Sequence, residues 1–62
     1  MVIFDRKGPS GNIFFILANA YGELKECGML DAYHEMDRRV KACHSYDEAL
    51  RVISEYVDLE EV

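Results

Sequence analysis

With 62 residues, half of them hydrophobic, 31% charged and a formal net charge of −5, the chain has room for one domain and the wrong sign for a phosphate backbone. Nucleic acid is therefore not an expected ligand, and no apolar run approaches the roughly 20 residues of a membrane span. A domain of this size hides only about 60% of its unfolded surface and is stable by roughly 3 to 9 kcal/mol, so it needs support from a disulfide, a metal or self-association.

The first residues, Val2-Ile3-Phe4, are β-branched and aromatic and predict a short strand; Asp5-Arg6-Lys7 then carries the chain into solvent. Gly8 and Pro9 force a turn. Ser10 and Asn12 each offer a short side-chain oxygen able to cap the helix that follows.

That first helix is expected from Asn12 to Cys27. Ile13, Leu17, Ala20, Leu24 and Cys27, spaced four, three, four and three apart, form its core stripe. Phe14, Ala18 and Tyr21 make a neighbouring stripe, which widens the apolar arc beyond what a lone small domain requires. Phe15 projects among Asn19, Gly22 and Glu26, on the side expected to be wet. There it reads either as the centre of a contact patch or as a ring covered by the N-terminal strand. Phe14, Phe15, Ala18 and Tyr21 are accordingly the candidate partner-binding residues.

Gly28 sits where a left-handed helix cap belongs. A second helix is expected from Leu30 to Cys43, burying Tyr33, Met36, Val40 and Cys43, with Glu35–Arg39 and Asp37–Lys41 as acid-before-base pairs four apart. Ser45-Tyr46-Asp47-Glu48 spells a capping box. The third helix it opens, from Tyr46 to Tyr56, is expected to bury Tyr46, Ala49, Leu50, Ile53 and Val57, flanked by Val52 and Tyr56. Val57-Asp58-Leu59-Glu60 alternates as a strand does, and as a strand it would give Val2 to Phe4 a ladder partner. Continuation of the third helix is the alternative. The fold class is thus α+β and mostly helical.

Cys27, His34, Cys43 and His44 are the only soft-metal set, but their spacing does not repeat the short paired pattern of structural zinc. No metal or cofactor is expected. Cys43 beside His44 supplies nucleophile and base types without a third group to orient the ring, so no catalytic residues are expected and the chain reads as non-enzymatic. His44 is expected to end the second helix, against the negative end of its dipole. The glycine-bearing turn lacks both the Walker ending and the dinucleotide fingerprint. With only two cysteines and no basic start leading into a long apolar stretch, a reducing, cytoplasmic setting is expected.

Gly8-Pro-x-Gly11-Asn12 running into Phe14 and Leu17, with Ser45-Tyr-Asp-x-x-Leu50 and Glu55-Tyr-Val-Asp-Leu59, resembles a group of very short phage and prophage proteins of unknown function. The chain departs from that group in the tail, where Ser54-Glu55 stands in place of a glycine before the last aromatic. The resemblance implies a mobile-element origin and no assigned catalytic residues. The function expected is protein binding, with a homodimer formed through the first helix. The alternatives are an inhibitor of a host-defence or nucleic-acid enzyme acting through the acidic third helix and tail, and a small metal-binding protein.

Overall fold

Val2 and Phe4 point inward and Ile3 outward along the first strand, β1 (Val2–Phe4), and this alternation anchors the architecture. In a computed structural model describing residues 1–62, a 3-10 turn at Pro9–Gly11 follows β1. Three helices come next, α1 (Ile13–Glu26), α2 (Leu30–Lys41) and α3 (Tyr46–Ser54), and then a last strand, β2 (Leu59–Glu61). The strands pair in parallel, Val2 opposite Leu59, Ile3 opposite Glu60 and Phe4 opposite Glu61. Parallel neighbours require a crossover, and the whole helical unit supplies it. A two-stranded ribbon has little stability alone; this one is held because Val2 and Phe4 enter the core with Ile16, Met36 and Ile53, which are fully enclosed.

Capping side chains open α1 and α3, whereas α2 begins after Met29 without one. Asn12, in extended backbone, accepts the Phe14 N–H at 2.8 Å and caps α1. Ser10, the other expected cap, instead accepts the Asp5 N–H at 2.8 Å and ties the turn back to the end of β1. Gly28, at φ +71°, closes α1. Its N–H reaches Lys25 O and that of Met29 reaches Leu24 O, a complete Schellman cap. Ser45 caps α3 by accepting the Glu48 N–H at 3.1 Å. Only that half of the capping box forms, since no return bond joins the Glu48 carboxylate to the Ser45 N–H.

The helices end slightly earlier than their apolar patterns suggest, α1 at Glu26, α2 at Lys41 and α3 at Ser54, and the last strand is shifted along the chain, running Leu59–Glu61 rather than from Val57 to Glu60. Several core expectations are corrected, and Ile13, Tyr33 and Cys43, expected on core faces, are only partly buried at the edge of the core. Cys27 is exposed, because it is the residue at which α1 ends and the chain turns away. Ile16 is fully buried although the expected stripe omits it. The buried arc is rotated toward Ile16 because β1 packs on that flank of α1. In α3, likewise, Val52 is buried while Tyr46, Leu50 and Val57 pack at the edge of the core.

Side-chain pairing also differs in one place. Lys41 meets Asp37 at 2.9 Å as expected, but Arg39 leaves Glu35 for a forked pair with Glu55, at 2.9 and 3.0 Å. Arg39 also donates to the Tyr56 hydroxyl at 2.9 Å, and that hydroxyl donates to Glu35 at 2.5 Å. This network pins the turn after α3 to α2. The Arg39 guanidinium holds the Glu55 carboxyl below its ordinary value of 4.5. The pair's contribution is therefore complete above that value and is lost as pH falls through the lowered one. Both groups are well exposed, so salt screens the effect. Arg39→Gln should flatten the acid limb of a stability-versus-pH curve below about pH 4.5, measured by urea unfolding. An acid limb as steep as that of the unmodified chain would show that the pair contributes nothing.

Candidate functional site

From Ile13 to Gly22 α1 carries no charged residue, and these ten positions cover the whole circumference of the helix. Elsewhere charge is dense: α2 alone holds Asp31, Glu35, Asp37, Arg38, Arg39 and Lys41. The inner arc of α1, Ile16, Leu17, Ala20 and Leu24, is buried. Its outer arc is uncharged, mostly apolar apart from Asn19, and faces solvent. Phe14 is 69% exposed, Phe15 48% and Tyr21 37%, and Ala18 is exposed between them. Within the chain no further layer covers this face, since its rings remain open to solvent.

Two neighbours border the exposed arc. On one flank Tyr21 meets the Tyr33 ring of α2 edge-on, centroids 4.7 Å apart, with the Lys25 ammonium 5.8 Å from the Tyr21 centroid. On the other flank Phe15 faces β1 across a shallow groove of about 370 Å³ shared with Met1, Ile3, Ser10 and Asn19. Phe15 is thus placed between the two readings of its position, beside the strand yet half open to solvent. Ile3 and Met1, both more than half exposed, extend the apolar surface beyond α1. The sequence reading missed them. The period-two alternation of Val2, Ile3 and Phe4 was the available signal, since a strand that buries its first and third residues must present its second.

A second open hollow, of about 320 Å³, lies between the end of α1 and the turn after α3, lined by Leu24, Cys27, Met29, Tyr56 and Val57 among others. Glu23 separates it from the groove, with one carboxylate oxygen on the Met1 amino group. In neither opening does a hydrogen bond join a nucleophilic side chain to a base, and Ser54, at the second, donates to Arg51 O of its own helix. Cys43 donates to Arg39 O at 3.2 Å, and burial, with the Glu48 carboxylate adding to it, pushes its thiol pKa up. That is opposite to what a reactive thiolate requires. His44 lies past the end of α2, exposed, rather than within its last turn. No three His, Cys, Asp or Glu side chains converge in a way that would hold a metal ion, and Cys27, His34, Cys43 and His44 accordingly do not form a set.

The acidic third helix and tail are partly neutralised from within. Arg6 reaches Asp47 at 2.8 Å and Glu61 at 3.4 Å, and Glu55 is held by Arg39. Glu48, Asp58 and Glu60 remain outside these ion pairs, on different elements. No helix is long and apolar enough to cross a membrane. No protein-family model, curated protein or solved structure matches the chain.

Proposed function

We propose that the chain is a non-enzymatic protein-binding domain that associates with itself, and that the outer face of α1, through Phe14, Phe15, Ala18 and Tyr21, is the contact. One observation carries this reading: a fully uncharged stretch from Ile13 to Gly22 whose solvent-facing side carries three aromatic rings and Ala18, with Asn19 as its one polar side chain outside the tyrosine hydroxyl. A helix that serves only its own core shows charge on its outer side. Contiguous exposed apolar surface on a small soluble protein marks a binding surface.

The area is of the right order. Taking about 200 Å² for a whole aromatic side chain, the three rings leave roughly 300 Å² uncovered on each protomer. Stable interfaces use about 800 Å² per partner, which Ala18, Gly22, Ile3 and Met1 would approach. A reversible dimer is the form this surface supports best. The acidic face, divided among the chain's own bases, gives weaker support to an inhibitor of a nucleic-acid enzyme.

A cytoplasmic setting belongs to the proposal and rests on two unpaired thiols, one of them exposed. A phage or other mobile-element origin belongs to it as well, and its support is the resemblance of the turn and tail words.

Sedimentation of the unmodified chain and of Phe15→Glu across a concentration series tests the reading. The unmodified chain should sediment as a dimer, and the variant should fall to monomer mass with its far-UV helix signal intact. Loss of folding at unchanged mass would instead assign the ring to the core and defeat the proposal.

A further inference from the structure

Gly22 has no explanation within one protomer. In a helix interior glycine is the least favourable residue after proline. The Gly22 backbone is not left-handed, and a Cβ added there would meet nothing within 4 Å. Nothing inside the chain requires the missing side chain. Its absence leaves a hollow on the exposed arc of α1, suited to close approach by a group from outside.

We propose that this hollow receives Phe15 of a second copy. The two α1 helices pack antiparallel about a two-fold axis beside Ala18, with Phe15 of each copy over Gly22 of the other and Phe14 of each against Tyr21 of the other. The proposal rests on the self-association inferred above and specifies its geometry. At 3.6 residues per turn, Ala18 points away from the arc of Ile16, Leu17, Ala20 and Leu24. Phe14 and Tyr21, seven residues apart, lie on one side of it, and Phe15 and Gly22, also seven apart, lie on the other. An antiparallel two-fold lays each side against its own inverted copy. Projections in the first half of the helix thus meet a ring or a hollow in the second half. One surface supplies both halves of the fit, which is the condition for an isologous dimer.

Charge selects this orientation over the parallel one. In a parallel crossing Lys25 would lie beside Lys25 of the other copy, and Phe15 would face Phe14 rather than the hollow. Antiparallel packing separates the two lysines by about 20 Å at 1.5 Å rise per residue. The two helix dipoles then oppose each other favourably.

The test is a swap of ring and hollow, read as the dimer dissociation constant by sedimentation, with far-UV circular dichroism on every variant. Gly22→Phe should weaken the dimer by at least about tenfold, and Phe15→Ala combined with Gly22→Phe should recover most of that loss. Phe14→Ala combined with Gly22→Phe should not recover it, because Phe14 lies on the other side of the axis. A dimer that Gly22→Phe leaves unweakened, or weakened equally in both double variants, would overturn this packing and leave self-association standing. A chain that stays monomeric at about millimolar concentration, a free-energy scale of only about 4 kcal/mol, would overturn both.

Discussion

Gly11→Ala is expected to destabilise the fold by about 3 kcal/mol or more, lowering the melting temperature by roughly 15 °C for a domain of this length. Gly11 is buried in the 3-10 turn. A Cβ built on it would lie 2.3 Å from Asp5 O and 2.7 Å from Arg6 O. Both are backbone atoms, so no side chain can rotate aside, and the segment leaving β1 would have to move. The Gly11 carbonyl is also held, accepting the Tyr46 hydroxyl at 2.5 Å. Arg6 lies over that same Tyr46 ring, 5.1 Å from its centroid, and reaches both Asp47 and Glu61. Displacing the turn therefore loosens α3 and β2 together. Gly8→Ala is the control, because its nearest contact is a carboxylate oxygen of Asp5 at 3.3 Å, the far end of a side chain. Urea unfolding measures both. A Gly11→Ala chain as stable as its Gly8→Ala counterpart would refute the account of the turn.

Phe4→Ala should cost about 3 to 5 kcal/mol, most or all of the roughly 3 to 9 kcal/mol available. Phe4 is 4% exposed and joins the single core cluster together with Val2. Its carbonyl also accepts the Val62 N–H at 2.8 Å, next to the ladder that aligns β2. Removing the ring empties the layer between ribbon and helices, and with it goes the reason for the ribbon to persist. Ile3→Ala, one residue away and pointing outward, should change the stability of the monomer by less than about 0.5 kcal/mol. Equal losses at the two positions would show that β1 does not present alternate faces as described. Hydrogen exchange on the Val62 amide gives a second readout, since it should lose protection in Phe4→Ala and keep it in Ile3→Ala.

The two faces of α1 divide fold from proposed function. Gly11 and Phe4 act on its inner side, where the cost of a change appears as unfolding. Phe15 and Gly22 act on its outer side, where it should appear as altered mass with the helices intact. This separation makes the association proposal testable in so small a protein.

Much of the local structure was legible because its causes are local. Asn12, Gly28 and Ser45 each act on amides or carbonyls within a few residues, so the boundaries they set follow from residue type and spacing. The words that carry the phage-type resemblance are largely the same devices. Gly8 and Pro9 turn the chain, Gly11 permits a backbone contact and Asn12 caps a helix, so each has a structural reason to stand where it does. The exposed arc of Phe14, Phe15, Ala18 and Tyr21 was legible too, because it exceeds what one buried stripe requires. Ile3 and Met1 were missed because their place beside Phe15 depends on where the ribbon lies against α1.

By itself, then, the sequence determined the order and type of the elements, the caps of α1 and α3, and the excess of apolar residues on α1. These depend on contacts a few positions apart. Tertiary structure alone decided that Ile16 is enclosed and Cys27 is not, that Arg39 takes Glu55 rather than Glu35, and that the strands run parallel. Each of those choices is a competition between groups distant along the chain, and it is settled only when β1 packs on one flank of α1 and the turn after α3 docks on α2.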